Sequence, residues 1–91
     1  MTDLRGLPDL LPFLNWLAAN KIGFLLEHGR DDAIMVTVSL IGVRVEIDFF
    51  DDHVEFSRFV GDESVELHVP TLLGLVRRDI DANAAGRPSN W

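Results

Sequence analysis

From Ala33 to Phe50 the sequence alternates, residue by residue, between mainly β-branched apolar side chains and more polar ones, and only Ile41-Gly42 interrupts the alternation. A period of two is typical of strands that bury one face. The segment therefore predicts two antiparallel strands joined by a two-residue turn. Because a β-branched Ile41 disfavours positive φ, we expect a type II turn with Gly42 at the position that requires it.

This turn predicts the register of the hairpin. Four pairs of opposed residues are then apolar and share one face: Leu40 with Val43, Val38 with Val45, Val36 with Ile47, and Ile34 with Phe49. The other face receives Ser39 with Arg44, Thr37 with Glu46, and Met35 with Asp48. A slip of one residue would turn the charged side chains into the core, so the pattern favours this register alone.

A helix is predicted before the hairpin. Its apolar face shows spacings of three and four residues: Leu7, Leu10, Leu11, Leu14 and Leu17. Asp9 is a candidate N-cap, which places Pro12 at the third helical position, and a start with Pro12 at the first position is the alternative. The helix should end near Asn20. A first strand is then predicted over residues 24–28, followed by a turn over residues 29–32.

After the hairpin, residues 53–60 read as a strand that places Val54 opposite Phe49 and Phe56 opposite Ile47. Arg58 breaks the inward apolar pattern, and we expect the twist of the sheet or a bulge to carry it off the edge of the core. Residues 61–63 have turn chemistry, and alternation at residues 65–69 predicts a short edge strand.

A second helix is predicted to start at a Thr71 cap. Leu72, Leu73, Val76 and Ile80 form its apolar face, and its solvent face carries Arg77, Arg78, Asp79 and Asp81. The predicted class is thus α+β, with an N-terminal helix, a four- to five-stranded antiparallel β-meander and a C-terminal helix. Residues 1–82 should form a single domain, and residues 83–91 a flexible tail unless Trp91 docks.

Composition narrows the function classes. The chain has 91 residues, is 47% hydrophobic and contains no cysteine, which excludes a disulfide framework and thiolate chemistry. No apolar run is long enough to span a membrane, and the first twenty residues do not resemble a secretory signal, so a cytoplasmic protein without membrane contact is expected.

The charge is concentrated in the sheet region. Eleven acidic residues and three arginines lie between Glu27 and Glu66, and the whole chain has a net charge of −7. Nucleic-acid binding is not expected, because phosphate contacts depend on Lys and Arg. Solubility alone is one explanation of the acidity, and binding of a basic protein is the other.

Two groups of residues are candidates for partner binding. Arg30, Asp31 and Asp32 could hold a partner through charge-assisted hydrogen bonds, although aspartate is also favoured in such turns for local reasons. Glu46, Asp48 and Glu55 should project from the outer sheet face, interleaved with the apolar Met35 and Phe50 and, without a bulge, Phe59. Cover by the second helix or the tail is the alternative for the apolar members.

These carboxylates could in principle bind a hard cation or act as an acid–base pair. Their spacing matches no known metal or catalytic motif, and the three histidines are scattered. We therefore predict no catalytic residue, no metal site and no cofactor.

The runs Arg30-Asp31-Asp32-Ala33-Ile34-Met35-Val36 and Glu46-Ile47-Asp48-Phe49-Phe50 resemble a group of short bacterial proteins of uncharacterised function. Ile41-Gly42 stands where that group often has Pro-Gly, and Val45 where it tends to have Trp. The resemblance implies the helix and hairpin, over about residues 10–70, and no activity.

Three functions remain open at this point. The first is a non-enzymatic acidic module, immunity- or antitoxin-like or an adaptor, that binds a protein through its sheet face. The second is a homo-oligomer whose sheet face or edge strand pairs with a second copy. The third is a carboxylate-based metal protein or enzyme.

Overall fold

The computed structural model describes residues 3–59 and 65–86. Their order begins with a short 3₁₀ turn and continues through two helices and five strands: Leu7–Asp9, α1 (Leu10–Ala19), β1 (Phe24–Arg30), β2 (Ala33–Leu40), β3 (Val43–Phe49), β4 (Val54–Phe59), β5 (Val65–Glu66) and α2 (Val69–Gly86). The strands form one sheet in the order β1-β2-β3-β4-β5, and every neighbouring pair is antiparallel. The predicted α+β meander between two helices is confirmed.

The predicted hairpin register is also confirmed. All seven pairs between β2 and β3 lie as expected, from Leu40 with Val43 to Ile34 with Phe49. Gly42 has a φ of 75°, the positive value that a type II turn requires at this position. Register is well specified here because a single slip would exchange the buried and exposed faces.

Both helices pack on the same face of the sheet, which we call the helix face. The core there joins buried residues of α1 and α2 to the inward residues of β2, β3 and β4: Phe13, Leu17, Leu72, Leu73, Val76, Val36, Val38, Val45, Ile47, Phe49, Val54 and Phe56. The rings of Phe13 and Phe49 lie 5.6 Å apart. The predicted apolar face of α2 is thereby confirmed.

Helix α1 begins after Asp9, so Pro12 is its third residue and the alternative start is wrong. Asp9 occupies the N-cap position without a side-chain capping hydrogen bond. Its carboxylate instead accepts the backbone N–H of Arg5 at 2.7 Å, and this bond ties the preceding segment to the helix start. The helix ends at Ala19 with Asn20 as its C-cap, which confirms the predicted end near Asn20.

Helix α2 is longer than predicted at both ends. It begins at Val69 rather than behind a Thr71 cap, and the carbonyl oxygen of His68 accepts the backbone N–H of Thr71 at 3.0 Å. The helix extends to Gly86 and so includes the first residues of the segment 83–91, whose flexibility stays a prediction. Residues 87–91, including the predicted docking of Trp91, lie outside the described residues.

Asp79 was expected on the solvent side of α2, and this prediction is wrong. The residue is only 8% exposed, and its Oδ1 accepts the backbone N–H of Ile41 at 2.8 Å. It follows Val76 by three residues and therefore shares the inward side of the helix. A buried carboxylate needs such a donor, and the turn between β2 and β3 supplies one.

Of the two expected ways for Arg58 to leave the core edge, the bulge is wrong, because Arg58 stays in register opposite Val45 on the helix face. Its side chain is 37% exposed. Glu66 of β5 lies on the same face and accepts two hydrogen bonds from the guanidinium, at 2.6 and 2.8 Å. The ion pair thus satisfies a charge at the margin of the core.

The two edges of the sheet differ. Strand β5 has two residues, shorter than the predicted edge strand, and Leu67 after it is 64% exposed. Strand β1 has seven residues and extends two residues past its predicted end, so that Arg30 belongs to the strand. Its register with β2 is irregular between Glu27 and Arg30. The predicted turn at residues 61–63 lies outside the described residues.

Candidate functional site

The sheet register defines a second surface, which we call the outer face. Its members point away from the two helices: Leu25, Glu27, Met35, Thr37, Ser39, Arg44, Glu46, Asp48, Glu55, Ser57 and Phe59. Four of these residues are carboxylates and one is an arginine. The buried residues of α1 and α2 all belong to the core on the helix face. The predicted position of Glu46, Asp48 and Glu55 on one face is confirmed.

One row of the outer face crosses four strands. Glu27 pairs with Met35, Met35 with Asp48, and Asp48 with Glu55. Neighbouring strands lie about 4.8 Å apart, so three carboxylates and a thioether form a continuous strip. Burial raises the pKa of Asp48 above its ordinary value of 3.8; Arg30 opposes this shift, and the nearby carboxylates of Glu55 and Asp32 add to it.

The Arg30-Asp31-Asp32 cluster lies beside this row, at the end of the sheet where β1 turns into β2. Arg30 donates two hydrogen bonds to the carboxylate of Asp32, at 3.1 and 3.3 Å, while Asp31 is exposed in the turn. Both members of the ion pair are more than half exposed, so water screens their attraction. Arg30, Met35 and Asp48 also line a cleft of about 190 Å³ together with Glu27, Gly29 and Ala33.

Phe50 is not the exposed contact that the sequence suggested. It is only 8% exposed, because the guanidinium of Arg30 lies 4.8 Å from its ring centre. The imidazole of His53 also stacks on this ring, with the centres 4.4 Å apart and the planes 3° from parallel. The described side chains over this ring are thus the guanidinium of Arg30, a cation that the π-face of the ring favours, and the imidazole of His53. The alternative of cover by the tail lies outside the described residues.

Phe59 is covered in a similar way at the opposite end of the outer face. The guanidinium of Arg44 lies 4.7 Å from its ring centre, and Arg44 also approaches Glu46 at 3.8 Å. Glu46 therefore lies in a different row from Asp48, beside its own arginine. The rings of Phe50 and Phe59 are thus covered at the two ends of the outer face, and its accessible surface combines carboxylates with the exposed Leu25.

The sequence placed His53 near the outer-face carboxylates but did not predict the two hydrogen bonds of its ring. Its Nδ1 lies 2.8 Å from Asp52 and its Nε2 lies 2.9 Å from Glu55. The hydrogen bond to Asp52 is the main cause of a raised His53 pKa, and the bond to Glu55 adds to it. The signal was present in the sequence as Asp52-His53-Val54-Glu55, because the strand predicted over residues 53–60 puts His53 and Glu55 on the same face.

The arrangement therefore brings Arg30, Asp32, Met35, Asp48, Phe50 and Glu55 to one end of the outer face, with Glu46 one row away. Among the residues that the structure describes, no three His, Asp or Glu side chains are placed to hold a metal ion. Four carboxylates of this region have basic neighbours: Asp32 has Arg30, Glu46 has Arg44, and Asp52 and Glu55 have His53.

Comparisons with known proteins add no relative, since no family model, curated protein or solved structure matches this chain. In the described part of the chain, no helix is long and apolar enough to cross a membrane.

Proposed function

We propose that this protein is a non-enzymatic binding module whose outer face binds a basic surface of another protein. The observation that carries the proposal is the placement of Glu27, Glu46, Asp48 and Glu55 on a sheet face that the core-forming sides of both helices leave uncovered. The roles that suit a small domain of this kind are those of an immunity-like protein, an antitoxin-like protein or an adaptor.

Charge supports this assignment. A surface with four carboxylates and one arginine, on a chain of net charge −7, attracts a basic partner over several ångströms and raises the association rate. Salt screens such attraction, so the association rate should fall as ionic strength increases.

Asp48 is the residue that should respond most to a bound cation. Burial already makes its ionised form less favourable and raises its pKa, and Arg30 compensates for that effect only in part. A lysine or arginine of the partner placed over the row of Glu27, Asp48 and Glu55 would favour the ionised carboxylate. Binding should therefore lower the pKa of Asp48.

The test compares two double variants with equal changes of net charge. Glu46→Lys with Asp48→Lys alters the outer face, whereas Asp3→Lys with Asp81→Lys alters exposed positions outside it. Proteins from the native cell that bind the wild type would be identified by affinity capture and mass spectrometry. Association rates with each purified candidate would then be measured at low and high salt.

The outer-face variant should associate at least tenfold more slowly at low salt and lose most of its salt dependence, because steering accounts for a factor of about 10 or more. The control variant should keep most of its association rate and most of its salt dependence. If both variants associated equally slowly, the effect would be one of net charge. If the outer-face variant associated as fast as the wild type, this face would be excluded as the binding surface.

A further inference from the structure

The free edge of β1 is the largest unpaired feature of the described sheet. Strand β1 pairs with β2 on one side only, and it is seven residues long, whereas β5 at the other edge has two. Leu25 is 69% exposed on the outer face and Leu26 is 48% exposed on the helix face. An edge with apolar side chains on both faces is a template for another strand.

The hydrogen-bond pattern shows which backbone groups face outward. The carbonyl oxygen of Gly23 accepts the N–H of Ser39 at 3.1 Å, so the groups of Gly23 point toward β2. Directions alternate along an antiparallel strand, so Leu25 and Glu27 also point toward β2. Phe24 and Leu26 therefore direct their N–H and C=O groups to the free edge.

The usual protection of an edge is confined to one end of β1. Bulges and charged residues discourage pairing, and the register irregularity lies between Glu27 and Arg30. The segment Phe24–Leu26 lies before this irregularity and contains neither a charge nor a proline. These three residues form the accessible part of the edge, which we call the open segment.

The open segment is self-complementary. An antiparallel pair of identical strands, related by a two-fold axis perpendicular to the sheet, centres on one residue. If that residue is Leu25, Phe24 of each copy lies opposite Leu26 of the other, and the outward backbone groups of both meet as hydrogen-bonded pairs. Centring on Glu27 would oppose two like charges, and centring on Leu26 would draw His28, within the irregular stretch, into the pairing.

We propose that two copies of this chain pair antiparallel through the open segment, with Leu25 at the two-fold axis. The two sheets then form one continuous sheet, in which the two Leu25 side chains meet on the outer face and Phe24 meets Leu26 on the helix face. A second copy is favoured as the pairing strand because it satisfies the outward backbone groups and places only apolar residues opposite each other.

The pairing should be reversible and weak. Only three residues of each copy form its centre, and contacts of small area are typical of transient complexes. Each copy also carries the same net charge of −7, so the copies repel at low salt. Self-association should consequently become stronger as salt increases, the opposite of the dependence expected for a basic partner at the outer face.

The first test is sedimentation equilibrium of the full chain from about 10 µM to 1 mM, a range suited to a weak complex of small area. Leu26→Pro removes an N–H that points away from β2, so the internal ladder remains and the dimer should be lost. Leu25→Lys places like charges at the two-fold axis and should give the same result. Leu11→Lys is the control, because Leu11 is 66% exposed on α1.

The second test is amide hydrogen exchange by NMR at both ends of that range. The amides of Phe24 and Leu26 should exchange at least threefold more slowly at high concentration, while those of Leu25 and Glu27 stay protected throughout. A wild-type chain that is monomeric at every concentration would overturn the proposal and leave the edge to a strand of another protein. A dimer that persists in both edge variants, or exchange that does not depend on concentration, would also overturn it.

Discussion

The carboxylate of Asp79 accepts the backbone N–H of Ile41 at 2.8 Å, across 38 residues of sequence. This bond joins the inward side of α2 to the turn between β2 and β3. Asp79 is 8% exposed, although the neighbouring Arg78 lies on the solvent side of the helix. The bond thus fixes how the C-terminal helix lies against the hairpin, which carries half of the outer-face row.

Replacing Asp79 with alanine should destabilise the protein by about 1–2 kcal/mol, because the loss of a charged acceptor leaves a turn N–H without its partner. The measurement is urea unfolding followed by circular dichroism. Asp81→Ala, on the exposed side of α2, is the matched control and should change stability by less than about 0.5 kcal/mol. Equal effects of the two variants would show that the Asp79 bond contributes nothing.

The contrast between these residues shows what could be predicted from sequence. The hairpin register was predictable because a period of two and a two-residue turn leave only one arrangement that buries Val36, Val38, Val45 and Ile47 together. The role of Asp79 was not predicted: its charge suggested the solvent side, although its spacing from Val76 puts it on the inward side, and no local pattern shows which distant backbone group it meets.

The candidate site also has some features that the sequence predicts and others that it does not. Placement of Glu46, Asp48 and Glu55 on one face followed from alternation alone. The burial of Phe50 did not, because it depends on Arg30 at the end of β1 and His53 in the turn before β4 meeting over one ring. Contacts of this kind arise from the twist of the assembled sheet, which no local pattern encodes.

His53 should titrate above its ordinary pKa of 6.5, because Asp52 and Glu55 stabilise the imidazolium. A folded-state pKa above the unfolded value means that this stabilisation is fully present below pH 6.5 and is lost as pH rises through the folded pKa. Stability should therefore decline across that window in the wild type and less so in His53→Gln. Unfolding in urea at a series of pH values measures the difference.

NMR titration of the His53 ring protons tests the cause directly. Asp52→Asn should lower the pKa of His53 more than Glu55→Gln does, because the bond to Asp52 is the larger contribution. Asp51→Asn is the control, since Asp51 is an exposed carboxylate outside the two His53 bonds. A His53 pKa that is the same in all three variants would contradict the two hydrogen bonds to its ring.

Gly6 should tolerate no side chain. Its φ is 147°, and a Cβ atom there would lie 2.5 Å from the carbonyl oxygen of Phe50 and 2.8 Å from that of Asp51. Both are backbone atoms, and the Phe50 oxygen also accepts the N–H of Leu7 at 2.7 Å, so that oxygen cannot move away without breaking this hydrogen bond. Backbone strain and overpacking each cost about 1–3 kcal/mol.

Gly6→Ala should therefore lower the free energy of unfolding by about 2–4 kcal/mol, as measured in urea. Gly74→Ala is the opposite control: this glycine is exposed in α2, and a Cβ atom there would meet no neighbouring atom within 4 Å, so alanine should stabilise the helix by about 0.5–1 kcal/mol. If Gly6→Ala instead matched the wild type, the segment before α1 would not be held against Phe50. The cover that Arg30 and His53 provide would then be the main restraint on that ring.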